Sequence, residues 1–369
     1  MSLILPFLVS LIITILSIPI TLKFAFKFGL VDNPKTRPHP AHLHTRIIAR
    51  AGGLPIYLGI IFSILIFLPL ERSFLGIIFG STILLLVGLI DDKVKKFNPY
   101  VRLLLLFLAA LVVVSFGVGI NFISNPLSGF NFLPFGLNQP YIRFDQIIIP
   151  FVFLGNHYLV LVADIFAFFY ITTLTQVINW SKGVDGQMPG ITCITALTLG
   201  FLSLKLLQGG DPNQFFLAQL SFIVAGASLG FLIFNWFPAK IFPGFSGSTI
   251  LALVLATISI LSGAKVATAL LVLAIPTIDF IYTFFRRILS GKSPVWGDRG
   301  HLHHRLLDLG LSHPQIALFY IVVSAILGSI ALIVDTESKF FGVLVVAVIF
   351  IGFILALNSF YDRRSKINE

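Results

Sequence analysis

The chain has little charge and almost no sulfur. Lys, Arg, Asp and Glu make up 11% of its 369 residues, and it holds one cysteine, two methionines and three tryptophans. A soluble domain of this length exposes far more charge, so a water-soluble globule is excluded. The lone Cys193 allows neither a disulfide framework nor a thiolate metal site. Acidic residues are scarcer than basic ones, 15 against 25, and the net charge is +10. No separate soluble domain carries that excess, which argues against nucleic acid as a partner and for a basic face beside anionic lipid headgroups.

What is present is apolar: 57% hydrophobic residues, 39 phenylalanines and a mean hydropathy of +1.00. A hydrocarbon core of about 30 Å takes roughly 17–25 apolar residues per helix. Eleven such runs occur, near 3–22, 52–70, 74–90, 101–121, 159–178, 190–207, 215–234, 246–262, 265–284, 315–334 and 339–359, the eighth being the shortest. The expected fold is an all-α polytopic integral membrane protein with about eleven transmembrane helices, one unit over residues 1–369. No Lys or Arg precedes the first run, and Lys23 and Lys27 follow it, so it reads as a span and not as a cleaved signal peptide.

Basic residues set the orientation. Twenty lie in the connections reached after odd-numbered runs (about 23–51, 91–102, 182, 240, 286–314 and the tail), and five, Arg72, Arg143, Lys205, Lys265 and Lys339, lie on the other side. By the positive-inside rule the N-terminus is outside and the C-terminus is cytoplasmic; the expected location is the plasma membrane. The longest external connection, about 122–158, is rich in Gly, Pro and β-branched residues and has room for a hairpin.

The predicted cytoplasmic face also gathers seven of the eight histidines and most of the chemistry-bearing acids. "GLIDDKVKKFNP" places Asp91 and Asp92 side by side where the third run leaves lipid. Adjacent carboxylates repel unless a cation offsets them, and negative charge at a helix C-terminus opposes the macrodipole. "VINWSKGVDGQMPG" puts Asn179, Asp185 and two glycines at a membrane exit, suited to a tight turn near a ligand or to a plain connection. "NWFPAKIFPGFSGS" offers Asn235 for a base edge, Phe237 or Phe242 for stacking, and amides ahead of a helix. In "GDRGHLHHRLLDLG", helical spacing predicts that His301 and His304 share a face while His303 points elsewhere. Arg299 and Arg305 flank these histidines and favour a phosphate or diphosphate over zinc. The loop 23–51, with Arg37 among six basic residues, suits a lipid phosphate or a plain membrane anchor. A transporter would place ionisable groups near the midplane, whereas Asp164 and Asp279 lie near run ends, and no repeat is visible.

Taken in order, "GLVDNPKTRPH…RAGGLPIYLG", "GLIDDK", "NWSKGVDG…PG", "NWFPAKIFPGFSGS" and "KSPVWGDRGHLHHRLLDLG" resemble the polyprenyl-phosphate N-acetylhexosamine-1-phosphate transferases (the MraY, WecA and TagO type). Each motif is modestly specific; five in order, through most of the chain, are highly specific. The His-x-His-His setting resembles the branch that uses UDP-N-acetylglucosamine. The resemblance implies transfer of N-acetylhexosamine-1-phosphate from a UDP-sugar to undecaprenyl or another polyprenyl phosphate, with release of UMP, initiating a cell-envelope glycan. It implies Mg²⁺, with Mn²⁺ as alternative, and a homodimer by analogy. Asp91 and Asp92 would be catalytic; Asp92, Asn179 and Asp185 would hold the metal. Arg37, Asn179, Asp185, Asn235, Phe242, Arg299, His301, His303 and His304 would bind substrates.

Two departures from the family pattern bear on the metal. The family reads Asn-x-x-Asp-Gly-x-Asp-Gly, and here Lys182 stands at the first aspartate; Phe245 replaces the aspartate of Gly-Asp-Ser-Gly-Ser. Losing a carboxylate weakens a site for a hard cation. Three accounts follow: Asp91, Asp92 and Asp185 rebuild the metal site, Lys182 replaces part of its charge, or the chain binds its substrates without turnover.

Overall fold

The computed structural model describes every residue except 1–2, 35–45, 95–96, 126–127, 129–138, 153–155, 263–264, 294–295, 297–299 and 368–369. The chain is a bundle of helices: α1 (Ile4–Phe28), α2 (Gly53–Phe67), α3 (Arg72–Lys93), α4 (Pro99–Ser115), α5 (Leu161–Trp180), α6 (Gln187–Gln208), α7 (Gln214–Asn235), α8 (Gly244–Leu261), α9 (Lys265–Val272), α10 (Ala274–Leu289), α11 (Leu302–Asp308), α12 (His313–Ile333) and α13 (Thr336–Ile367). Each of the eleven apolar runs falls on a helix, the ninth divided between α9 and α10, which meet at 81°. Among the described residues, seven helices are long and apolar enough to cross a membrane, and the bent α9–α10 pair makes an eighth candidate. The protein is therefore polytopic.

Helix ends follow local chemistry. Gly29 closes α1 in a left-handed conformation (φ 72°), its amide donating to the Ala25 carbonyl. Asn98 caps α4 by accepting from the Tyr100 amide, with Pro99 at the first helical position. Before α12, the Ser312 amide donates to Gln315 Oε1 at 2.8 Å.

The interior is rich in Ile, Leu, Val and Ala, and α1 adds to it a face of small and polar residues. On α1, Ser10, Thr14, Thr21 and Ala25 face inward, while Ile4, Leu5, Leu8, Ile12, Leu16 and Ile20 are exposed. Lipid offers leucine nothing to escape from, so helices associate through small residues and close backbone contact. Gly226 and Gly230, four apart on α7, lie against the Phe7 and Leu11 carbonyls of α1. Gly53 of α2 and Gly88 of α3 both abut Ser246 of α8. The eighth run, short in the sequence, becomes the centre of the bundle: α8 is buried from Gly244 to Ile260. Surrounded by helices, it never has to match the lipid alone.

Short strands finish the frame. β1 (Val31–Asp32) pairs antiparallel with β2 (Ile48–Ala49), and the latter bridges in parallel to Ile241. The Phe242 amide donates to Ala49 O at 2.8 Å, and Gly52 N to Phe242 O at 3.1 Å, which seats the starts of α2 and α8 side by side. The long connection between α4 and α5 carries two antiparallel hairpins, β3 (Phe122–Ser124) with β4 (Tyr141–Arg143) and β5 (Ile148–Val152) with β6 (Asn156–Val160).

A side chain at Gly226 would collide with the backbone of α1, which cannot yield as a side chain can. Gly226→Val should destabilise the bundle by about 1–3 kcal/mol. It should lower the unfolding midpoint of detergent-purified protein, while Gly352→Val, in open space, should leave it unchanged.

Candidate active site

The polar residues meet where α3 ends and α8 begins. Asp91 and Asp92 lie on the last turn of α3 and are buried. Asp92 Oδ1 accepts from Arg50 Nε at 3.2 Å and lies 3.4 Å from the Phe245 amide in the first turn of α8. Asp91 Oδ1 accepts from Arg102 Nη2 at 2.6 Å, and Asp32 Oδ2 stands 3.7 Å from Arg50 Nη1. The charge opposed by the dipole of α3 is thus met by two arginines and by the positive end of α8. Gly244 makes this approach possible: its φ is 67°, and a Cβ there would run into the Asp92 carboxylate and the Arg50 carbonyl.

Beside this cluster lies Lys182. Its Nζ donates to Asn179 Oδ1 at 2.7 Å, Gly244 O at 2.9 Å and Ser248 Oγ at 3.3 Å. Ser248 Oγ donates in turn to Asn179 Oδ1 at 2.9 Å. The Phe245 ring is buried, with Lys182 Nζ 5.8 Å and the Arg102 guanidinium 5.3 Å from its centroid. Burial, reinforced by the charge of Arg50, pulls the Lys182 ammonium below the usual lysine range, while Asp92 opposes the shift. An arriving anion would act in the same direction as Asp92.

Of the three expected metal ligands, Asp92 and Asn179 both converge on the first turn of α8, and Asp185 bonds elsewhere. Its Oδ2 accepts from the Ala239 amide at 2.9 Å. Among the described residues no group of three or more His, Cys, Asp or Glu side chains is gathered as a metal would need. Asn179 Oδ1 is engaged by an ammonium and Asp92 by a guanidinium, so this arrangement does not fit a divalent ion at Asp92, Asn179 and Asp185.

Asp185 and Asn235 tie two loops together. Asn235 accepts from the Gly186 amide at 3.1 Å and donates to Ile241 O at 2.8 Å. Its amide, expected to face a base edge, braces the turn after α5 against the loop between α7 and α8. Arg46 Nη2 adds a bond to Ala239 O at 2.7 Å, and the Phe237 ring packs 4.9 Å from that of His313. Phe242 sits half-buried between Ala49 and Gly52. Of the amides at the start of α8, that of Phe245 faces Asp92.

The histidines are arranged differently from the helical expectation. His301 is the N-cap of α11 in extended conformation, so the spacing of three does not apply to it. Its ring stacks with His303 (5.5 Å, 6°), and His303 lies 4.4 Å from His304. Asp279 on α10 holds the group, accepting from the Leu302 amide at 2.9 Å and contacting His301 Nδ1 at 2.8 Å. Trp180 packs edge-on against His301. A Cβ at Gly183 would strike the His303 imidazole, so this cluster rests on the turn that carries Lys182 and Asp185. Burial, with His304 and His301 adding, keeps His303 well below the usual histidine range and therefore neutral. Arg37 and Arg299 lie outside the described residues.

A cavity of about 250 Å³ opens beside the cluster between α4, α5 and α10. Leu103, Phe107, Phe169, Phe280 and Phe284 supply its apolar lining, and Arg102 and Asn179 its polar end. Reading the sequence for motifs missed Arg50, Arg102, Ser248 and Asp279. Asp279 was visible as an acid inside an apolar run; the arginines were indistinguishable from the general basic excess.

The Glycosyl transferase family 4 model matches residues 74–263. A probable undecaprenyl-phosphate N-acetylglucosaminyl 1-phosphate transferase of Bacillus subtilis is 28% identical over 353 residues, covering 94% of this chain and 88% of that protein. A decaprenyl-phosphate N-acetylglucosaminephosphotransferase of Mycolicibacterium smegmatis is 31% identical, covering 82% and 75%. An undecaprenyl-phosphate alpha-N-acetylglucosaminyl 1-phosphate transferase of Escherichia coli K12 is 26% identical, covering 85% and 78%.

Removing one partner of a buried ion pair leaves an uncompensated charge, at a cost of about 3–5 kcal/mol. Arg50→Ala should therefore unfold well before wild type in a thermal melt, and adding Asp92→Asn should recover part of the loss. Simple additivity of the two losses would contradict the pairing.

Proposed function

The chain belongs to glycosyl transferase family 4, and from that membership we propose that it transfers N-acetylglucosamine-1-phosphate from UDP-N-acetylglucosamine to a polyprenyl phosphate. An oxygen of the lipid phosphate attacks the phosphorus bonded to the sugar. A new P–O bond forms, the diphosphate bond to the uridine side breaks, and its electron pair leaves on UMP. A phosphate dianion is already nucleophilic, and total charge is conserved, so no net proton must move. Two anions must nevertheless meet in line, which makes positive charge and placement the main requirements.

The observation that carries the reading is the join between an apolar cavity and a charged cluster. The cavity between α4, α5 and α10 suits a lipid tail, and Arg102 at its polar end suits the tail's phosphate. Asp91 and Asp92 orient Arg102 and Arg50 toward that phosphate. The loops braced by Asp185 and Asn235, with Phe242, receive the uridine. His301, His303 and His304, together with Arg299, receive diphosphate and sugar, the neutral His303 donating a hydrogen bond and the arginines the charge. Arg37 joins the lipid phosphate. We place the site on the cytoplasmic leaflet of the plasma membrane, with eleven spans and the N-terminus outside. The 20-to-5 basic split supports this, as does the meeting of ends of α3, α5 and α7 with starts of α4, α6 and α8.

Purified protein given UDP-N-acetylglucosamine and undecaprenyl phosphate should release UMP in step with lipid-linked product. Asp92→Asn should slow this by about a hundredfold or more if the charge network orients the phosphates. Tight UDP-sugar binding without UMP release, by folded wild type, would replace the transferase with a non-catalytic binding protein.

A further inference from the structure

Two substrates rich in negative charge must be brought together here, and the question is which cation neutralises them. Arg50 reaches both Asp92 and Asp32, and Arg102 pairs with Asp91. The carboxylates nearest the first turn of α8 are thus held by guanidinium groups, which compete with a divalent ion for their oxygens. The three oxygens around Lys182 Nζ are a carboxamide, a backbone carbonyl and a hydroxyl, the neutral donor types that a hard cation would take. An ammonium has three donors, and all three are used. Beneath it, the buried Phe245 ring faces two cations with its electron-rich π-system, an arrangement that holds monovalent side-chain charge and offers a metal no ligand.

We propose that the Lys182 ammonium, fixed by Asn179, Gly244 and Ser248, is the built-in cation of this site and that the transfer runs without a resident metal ion. The inference rests on the transferase reading. Lys182 is a positioning residue: its hydrogens are spent on the protein, so it acts on the transferring phosphates through its field. The charge that a divalent ion would supply on binding is instead carried by the chain, delivered by the turn after α5 onto the first turn of α8. The bond changes are those of the transfer itself, and no additional co-reactant is required.

The test combines turnover with direct metal binding on the full-length protein. UMP release should continue in EDTA, and Mn²⁺ titrated into wild type and followed by electron paramagnetic resonance should show no stoichiometric bound ion. Lys182→Asp should bind Mn²⁺ through the vacated oxygens and make any remaining turnover dependent on it. A resident metal that carried the step would cost about a hundredfold or more on chelation. UMP release lost in EDTA and restored by Mg²⁺ would overturn the inference and leave the transferase reading standing. If no UMP appears under any condition, the transferase reading fails, and Mn²⁺ still decides the cation. A stoichiometric ion on wild type, or none on folded Lys182→Asp, overturns the proposal; the reverse pattern supports it.

Discussion

Two neighbouring carboxylates that leave water at a helix C-terminus have to be neutralised, and the architecture at this end of the bundle answers that demand. Asp91 and Asp92 repel each other and oppose the dipole of α3. Arg50 reaches Asp92 from the chain after β2, Arg102 reaches Asp91 from α4, and the first turn of α8 turns the Phe245 amide toward Asp92. Each contribution comes from a different element. The pairing of β1 with β2, the bridge from Ala49 to Ile241 and the left-handed Gly244 all serve to bring those elements within reach.

The same demand explains why α8 is the centre. The first turn of α8 meets a buried acid and the rest of the helix is enclosed as well, and a helix enclosed by others does not need the length or surface of a lipid-facing span. Glycines on α2 and α3 let their backbones close on Ser246, while α7 and α1 approach through Gly226 and Gly230. Apolar side chains are left outside because the surrounding medium is as apolar as they are.

The turn after α5 is the second organiser. Between Asn179 and Asp185 it sends Lys182 to the start of α8, Asp185 to the loop before α8, and Gly183 against His303. The histidine group is then held from the other side by Asp279 and Trp180. One short segment thereby sets the relative position of the acids, the loops assigned to the nucleotide and the imidazoles.

Read alone, the sequence determined that the protein is helical and polytopic and where its helices fall, and it singled out the motifs whose polar residues the fold gathers. Those properties are written in local composition: an apolar run long enough for a bilayer, or a doublet of aspartates at its end, is visible without neighbours. It did not show that Arg50 and Arg102 divide the two aspartates between them, that Asn235 braces backbone, that His301 leaves the helix and stacks on His303, or that Lys182 lies among three oxygens above Phe245. Each of these joins residues from separate elements, and burial in the folded bundle gives each contact its energetic weight. Only the tertiary structure could decide them, because a charge reveals its partner only once water has been excluded and the chain has brought that partner near.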